Sequence, residues 1–145
     1  RRQDVDAIFL LSSNGAEARS LKPLLAFHYA ASVPVYAISS IYNGNPDPRD
    51  RDLDGVRLVE MPWLLGDNTE LRNAIAAGKT GSDSYTRLNA LGADAYLVQS
   101  QFLRLQAGAD ALFRGSTGLL SMDPQLQIER ELELAKFDDG AVKPQ

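Results

Sequence analysis

The first forty residues alternate between apolar runs and a mixed segment in the order strand, helix, strand. Ala7 to Leu11 form a continuous apolar run, which is typical of a parallel strand covered by helices on both faces. A helix is predicted over Gly15 to Ala30, and Val33 to Ser39 returns as a second strand. These elements predict one βαβ unit within a parallel sheet.

Polar residues mark the start of this helix. Asn14 is a good N-cap residue, and Glu17 can return a hydrogen bond as in a capping box. Pro23 removes a backbone donor inside the helix, so either a kink or a restart with Ser20 as a second cap is expected. Residues spaced by three and four predict an apolar stripe on the sheet, namely Ala18, Leu21, Leu24, Leu25 and His28.

The stretch Tyr42 to Asp50 is rich in Gly, Pro, Asn and Asp, so it is predicted to be a surface loop. Asp50, Asp52 and Asp54 resemble the opening of a calcium-binding EF-hand loop. However, Met61 occupies the position of the bidentate glutamate, and an alternating, strand-like run from Val56 to Met61 replaces the exiting helix. We therefore predict an acidic turn before a strand, and no calcium site.

A proline and the only tryptophan end this strand. Trp63 is expected to pack in the core. A short helix is predicted from Thr69 to Ala77, with Asp67 or Asn68 as its cap. Gly78-Lys79-Thr80 does not make a phosphate-binding loop, because Asn73 stands where the motif needs glycine and a helix precedes it; a flexible link between helices is predicted instead.

A long helical pattern starts at Asp83. Its apolar stripe is predicted to contain Tyr85, Leu88, Leu91, Ala95, Val98, Phe102 and Leu105. Gly92 is unfavourable inside a helix, so it is predicted to mark a close contact. A second helical piece, Ala107 to Phe113, is predicted to end at Gly115.

The last part of the chain predicts a β-hairpin. Gly118 to Met122 and Gln127 to Ala135 flank the turn Asp123-Pro124-Gln125. Ile128, Arg130, Leu132 and Leu134 alternate with glutamates, which favours a strand with one wet face, although the helix propensity of this run allows a helix. The tail 138–145 is predicted to be frayed.

Composition narrows the function classes. The net charge of −4 and the scattered basic residues argue against a nucleic-acid partner. The absence of cysteine excludes disulfides, zinc-thiolate sites and thiol nucleophiles. No apolar run reaches the length of a transmembrane helix, and the abrupt start at Arg1 suggests a piece of a longer protein.

Candidates for catalysis are few. His28 is the only histidine, and on an apolar helix face it is expected to pack or to form a hydrogen bond. No Gly-x-Ser-x-Gly motif supplies a serine nucleophile, and no two acidic residues are fixed on facing elements. We therefore expect a protein that is not an enzyme, with no catalytic residue, no metal and no cofactor.

Several blocks resemble a known family. The similar blocks cover nearly the whole chain: 2–10, 17–19, 22–28, 34–37, 52–56, 61–65, 85–96, 115–120 and 128–132. Through these blocks the chain resembles the C-terminal domain of the LpoA/YraM lipoproteins, which activate class A penicillin-binding proteins. The runs 22–28 and 62–65 are specific to the family and not only to its fold.

The resemblance implies an α/β fold, a partial type I periplasmic-binding-protein-like (Rossmann-like) lobe in which helices flank a parallel sheet and a hairpin follows. Residues 1–137 would be a fragment of that domain, with 1–66 and 115–137 mainly in its second lobe and 67–114 in the helical part of the first. It also implies a periplasmic regulator of peptidoglycan synthesis, attached to the outer membrane by a lipid anchor outside this fragment. The implied partner is a class A penicillin-binding protein, and the residues that bind it are unknown.

Two further expectations remain open. The same fold would permit a periplasmic solute-binding or sensor domain for a small amino-acid-like ligand. The chain is also shorter than a complete two-lobed domain, so apolar faces of Ala7 to Leu11 and of the helix Tyr85 to Leu105 are expected to lack cover. Self-association of the fragment, by exchange of that helix or of the hairpin Gly118 to Ala135, would cover them.

Overall fold

A computed structural model describes residues 4–67, 69–78, 86–107 and 111–145. The elements in chain order are β1 (Ile8–Leu10), α1 (Gly15–Phe27), β2 (Val35–Ala37), two 3-10 helices (Ser39–Ile41 and Pro48–Leu53), β3 (Arg57–Glu60), α2 (Pro62–Leu65), α3 (Thr69–Ala77), α4 (Thr86–Gln106), β4 (Phe113–Arg114), β5 (Leu119–Met122), β6 (Ile128–Glu131), β7 (Glu133–Asp138) and β8 (Ala141–Pro144). They form two compact units, residues 1–60 with 134–145 and residues 61–133. The α/β fold class predicted from the sequence is confirmed.

The first unit is built on a five-stranded sheet in the order β1-β2-β3-β7-β8. Strands β1, β2 and β3 are parallel, with Phe9 beside Tyr36 and Tyr36 beside Arg57. The predicted βαβ unit is therefore present. The strands are shorter than their apolar runs suggested, and β2 begins only at Val35, after Pro34.

The parallel strands bury only one face within the described residues. Leu10, Val35 and Leu58 are buried. The alternate positions carry the exposed side chains Phe9, Leu11, Ile38 and Val59, and Phe9 and Leu11 are each 74% exposed. The continuous run predicted that both faces of β1 are covered, and this prediction is wrong for the described residues. The lack of cover expected for a chain shorter than the complete domain is observed.

Helix α1 begins as the sequence indicated. Asn14 is its N-cap and accepts a hydrogen bond from the Glu17 backbone N–H at 3.0 Å. Pro23 lies inside one helix that ends at Phe27, so the restart at Ser20 is not observed. Ala18 is buried, but Leu24 and His28 are exposed, which makes the predicted stripe wrong at its C-terminal end.

The segment before β3 is more than a surface loop. Tyr42 and Asp50 are buried, and Pro48–Leu53 forms a 3-10 helix that lies against α1. Gly15 allows the other 3-10 helix, Ser39–Ile41, to approach the start of α1, because a Cβ there would stand 2.6 Å from the Ile41 carbonyl oxygen.

The C-terminal residues are ordered strands. β7 and β8 pair antiparallel, with Phe137 beside Val142. Phe137 is fully buried, and its backbone bonds to Val56 and Gly55. The frayed tail predicted for 138–145 is wrong, because β8 extends the first unit's sheet and Val142 is buried.

The second unit contains a three-stranded sheet in the order β4-β5-β6. The predicted hairpin is confirmed, since β5 and β6 pair antiparallel with Leu120 beside Arg130. Its second strand stops at Glu131, however, and the chain continues as β7 in the first unit's sheet. The predicted dry face is wrong, because all four residues of β6 are exposed. In β7, Ala135 and Phe137 are buried and Leu134 is exposed. Phe113 lies in β4 and not in a helix.

Helix α4 buries only part of its predicted apolar stripe. Its buried residues are Leu105, which belongs to the stripe, and Ala90 and Asp94, which do not. Leu88 and Leu91 are more than half exposed, in agreement with the lack of cover expected for this helix. Gly92 is exposed, and a Cβ there would meet no heavy atom of the described residues within 4 Å. The close contact predicted at Gly92 is therefore wrong.

A buried carboxylate ties α4 to the loop before β5. One oxygen of Asp94 accepts a bond from the Ser116 backbone N–H at 2.6 Å. The other accepts from the Thr117 N–H at 2.7 Å and from its hydroxyl at 2.6 Å. All three residues are at least 95% buried. The bonds to Asp94 therefore give the buried donors of the loop the partners that water would otherwise supply.

The assignment of residues to two lobes stays a prediction. The compact units divide the chain near 60 and 133, while the sequence placed the lobe boundaries near 66 and 115. The segment 115–133 packs with 61–114 in one unit, because the Asp94 bonds and the contacts of α4 with β5 hold it there.

Two glycines of the second unit should respond oppositely to alanine. Gly92→Ala should raise the free energy of unfolding by about 0.5–1 kcal/mol, because the new methyl group meets open space and alanine favours the helix. Gly118→Ala should lower it by more than about 1 kcal/mol, since φ is +154° and the new Cβ would stand 2.3 Å from the Glu131 carbonyl oxygen. Urea unfolding of both variants measures the two signs; destabilisation by Gly92→Ala would contradict the exposed placement.

Asp94→Asn should lower the free energy of unfolding by about 2 kcal/mol or more. Both Asp94 oxygens accept bonds from N–H groups, and an amide nitrogen in place of one oxygen leaves a buried donor unpaired. Asp123→Asn is the matched control, because a single Asp123 oxygen accepts both of its bonds, from the Gln125 and Gln127 N–H groups. Equal urea midpoints for the two variants would be inconsistent with this account.

Candidate functional site

The turn from β1 into α1 is the first place to look for a ligand site. In open α/β sheets ligands bind outside the carboxyl ends of parallel strands, where helix N-termini offer N–H donors. Here one oxygen of Glu17 occupies three donors of the turn just before the helix. It accepts bonds from the Ser13 N–H at 2.8 Å, the Ser13 hydroxyl at 2.8 Å and the Ser12 hydroxyl at 3.0 Å.

The Glu17 interaction is a variant of the predicted capping box. Its return bond reaches the Ser13 N–H, one residue before the N-cap Asn14. The bond from the Ser13 backbone, followed by the two serine hydroxyls, lowers the pKa of Glu17. A carboxylate of the chain itself therefore occupies the Ser12 and Ser13 donors of this turn.

The adjoining cleft is polar and its charged groups pair with each other. It measures about 270 Å³ and lies between the start of α1 and residues 40–50. Arg19 donates to the buried Asp50. Arg49 bonds to Asp47 at 2.6 Å and lowers the pKa of that carboxyl to about 2. Both arginines of the cleft, Arg19 and Arg49, thus form ion pairs with aspartates of the same cleft.

The acidic residues that resembled an EF-hand are dispersed. Asp50 pairs with Arg19, and Asp54 accepts a bond from the Gly140 N–H at 3.0 Å. Within the described residues, no group of three or more His, Cys, Asp or Glu side chains could hold a metal ion.

The helices of the described residues were also compared with the requirements of a membrane span. None of these helices is both long and apolar enough to cross a membrane.

The other residues singled out from the sequence are not brought together. His28 is exposed at the end of α1, with its ring edge-on to Phe27 at 5.2 Å, so the expected packing on the sheet is wrong. Trp63 is buried, as predicted. The link around Lys79 and Ser82 lies outside the described residues.

An apolar groove lies in the second unit, and the sequence predicts only one of its walls. It lies between α4 and the β5-β6 hairpin, measures about 500 Å³, and has Asp94 and Thr117 in its lining. Its other lining residues are Leu91, Ala95, Val98, Leu120, Ile128 and Arg130. Leu91, Ala95 and Val98 belong to the predicted apolar stripe, which was expected to lack cover, whereas the wall from the hairpin was not predicted.

Known proteins resemble this chain along nearly its whole length. The E. coli K12 protein named penicillin-binding protein activator LpoA is 27% identical over 143 residues, which are 97% of this chain and 21% of that protein. The structure of the Haemophilus influenzae LpoA (YraM) C-domain, named as a regulator of PBP1A, matches 99% of this chain with 25% identity and a TM-score of 0.77, and this chain covers 46% of it. A Chromobacterium violaceum structure named as a branched-chain amino acid ABC transporter matches 91% of this chain with 31% identity and a TM-score of 0.65, and 42% of that chain is covered.

The chain spans about a fifth of the length of the LpoA proteins it resembles. A family model also matches most of its sequence. The model of the LppC lipoproteins matches residues 1–140. This chain therefore belongs to the LppC lipoprotein family.

Proposed function

We propose that this chain is part of an outer-membrane lipoprotein that faces the periplasm and activates a class A penicillin-binding protein, and that it acts by protein contact. The observation that carries the proposal is the match to the LpoA C-domain over 99% of the chain at a TM-score of 0.77. In this role the chain regulates a peptidoglycan synthase and catalyses no reaction of its own.

The chemistry of the described residues supports a contact role. The first unit's cleft has its arginines paired with aspartates, and His28 stands exposed beside an aromatic ring. The second unit instead presents an apolar groove whose wall residue Leu91 is 54% exposed. Exposed apolar surface of this kind marks a face that another segment or another protein covers.

A solute-binding role is the second candidate, because the chain also resembles a structure named as a branched-chain amino acid ABC transporter. Amino-acid ligands need donors for their carboxylate. At the β1–α1 turn those donors bond to Glu17, which favours the contact role over ligand capture.

The proposed role is tested by adding the intact protein that carries these residues to a purified class A penicillin-binding protein and measuring glycan-strand synthesis. The wild-type protein should raise the rate of synthesis. No change in rate, together with no binding in a pull-down of the two purified proteins, would refute the proposed function.

His28→Gln should leave this activation within a few-fold of wild type. The side chain is exposed at the end of α1, so the free energy of unfolding should change by less than about 0.5 kcal/mol. Trp63→Ala is the contrasting variant. Loss of its buried ring should lower the free energy of unfolding by about 3 kcal/mol or more. Activation should then fall in proportion to the fraction of folded protein. Lost activation by His28→Gln at an unchanged melting temperature would instead identify a site at His28.

Amino acids and muropeptides should not stabilise the protein. A ligand that binds the native state raises the melting temperature in a saturable manner, and the donors nearest the parallel strand ends are already bonded to Glu17. Melting curves with increasing leucine, glutamate or muropeptide should therefore coincide. A saturable rise in melting temperature would support the solute-binding role.

A further inference from the structure

We propose that Asn43 is a site of spontaneous deamidation, at which the Gly44 nitrogen closes a ring with the Asn43 side chain. The reaction converts a neutral amide that lines the first unit's cleft into a carboxylate. This inference does not depend on the proposed function, because it concerns only the chemistry of one loop of the chain.

The reaction at Asn43 needs only water and hydroxide. The Gly44 nitrogen gives its proton to hydroxide and attacks the side-chain carbonyl carbon of Asn43, so a new C–N bond forms. The bond from that carbon to the amide nitrogen then breaks, and ammonia leaves with a proton taken from water. Water opens the resulting five-membered ring at either carbonyl, which gives aspartate or isoaspartate at position 43.

The sequence contains four pairs in which glycine follows Asn or Asp, and glycine has no side chain to hinder the approach of its nitrogen. The pairs are Asn14-Gly15, Asn43-Gly44, Asp54-Gly55 and Asp139-Gly140. The other asparagines precede proline, threonine or alanine. The two aspartates are the poorer targets, because an ionised carboxylate repels a nucleophile. The surroundings of each glycine nitrogen decide among the four pairs.

Hydrogen bonds hold the glycine nitrogens of both Asp-Gly pairs. The Gly55 N–H donates to the Phe137 carbonyl oxygen at 2.9 Å. The Gly140 N–H donates to an Asp54 side-chain oxygen at 3.0 Å. Attack by either nitrogen would first break a bond that holds a turn against its neighbour, so both pairs are protected.

The start of α1 protects the pair Asn14-Gly15. Gly15 is the first residue of the helix, and the Ile41 carbonyl oxygen approaches it closely. The Asn14 side chain is bonded to the Glu17 N–H as the N-cap. Ring closure at this pair would therefore require loss of the cap and opening of the first turn.

The loop at Asn43 lacks these restraints. Asn43 is exposed and lies outside any helix or strand, and Gly44 has a φ of +88°, which glycine adopts without strain. Within the part of the chain that the structure describes, the Gly44 N–H has no hydrogen-bond partner. Rotation of this nitrogen towards the Asn43 side chain therefore breaks no bond to the protein.

The Asn43 side chain is also oriented for the attack. Its Oδ1 accepts a hydrogen bond from the Asn45 N–H at 3.0 Å, an Asx turn that folds the side chain over the intervening Gly44 peptide. A donor on a carbonyl oxygen stabilises the negative charge that develops there when a nucleophile adds. The Asn45 N–H thus assists the same step for which the Gly44 nitrogen is free.

The test incubates the intact protein at mildly alkaline pH, folded in buffer and unfolded in urea, and follows both Asn-Gly pairs by peptide mapping and mass spectrometry. In the folded protein, position 43 should convert at least about ten-fold faster than position 14. In urea the two rates should approach each other, because the local sequence is the same. Isoaspartate should be among the products, since direct hydrolysis of the amide gives only aspartate.

Asn43→Gln and Asn14→Asp are the matched variants. Glutamine keeps the amide but would have to close a less favourable six-membered ring, and aspartate remains a good N-cap. Isoelectric focusing of wild type should show a species with one more negative charge that accumulates with time. Asn43→Gln should abolish this species, whereas Asn14→Asp should leave its rate of formation within about two-fold.

Three results would overturn the proposal. They are equal conversion at positions 14 and 43 of the folded protein, conversion at position 43 that is fast only in urea, and an acidic species that still forms in Asn43→Gln. Melting curves show whether the variants are folded at the temperature of incubation, and Asn43→Ser replaces Asn43→Gln if the latter is not.

Discussion

The pairing of Asp94 with the loop at Ser116 and Thr117 is the constraint on which the second unit depends. A buried carboxylate is costly unless its oxygens are fully hydrogen-bonded. Three donors from two consecutive residues meet that need. Gly115 is required beside them, because a Cβ at this position would stand 2.7 Å from an Asp94 oxygen. The Ser116 and Thr117 donors thus satisfy the buried Asp94 carboxylate. The same bonds fix the loop that leads into β5.

That arrangement also accounts for the side of α4 that faces inward. With Asp94 directed to the loop, Ala90 and Leu105 on the same side of the helix are buried. Leu88 and Leu91 lie away from this side and are more than half exposed. The predicted apolar stripe is therefore only partly covered in the described part of this unit.

Local signals in the sequence predicted the local structure well. The N-cap at Asn14, the limits of α3 at Thr69–Ala77 and the hairpin around Asp123 depend on neighbouring residues, and all three are present. The fold class and the family followed from blocks such as 22–28 and 62–65, which the comparisons support. The hairpin wall of the surface groove did not follow, because periodicity shows that a helix has an apolar side but not which element lies beside it. The place of Phe137 in the sheet also depends on partners more than eighty residues away in sequence, namely Gly55 and Val56, and no local pattern predicts them.

Leu132 is the single residue between β6, which pairs in the three-stranded sheet, and β7, which belongs to the five-stranded one. Side chains alternate between faces along a strand, so one inserted or deleted residue at this point would move Ala135 and Phe137 out of the core and bring charged neighbours in. Length variation among members of the family should therefore be rare between positions 128 and 138. It should gather instead in the turn at 123–127, where exposed residues connect the two strands of the hairpin and a change of length leaves both sheets in register.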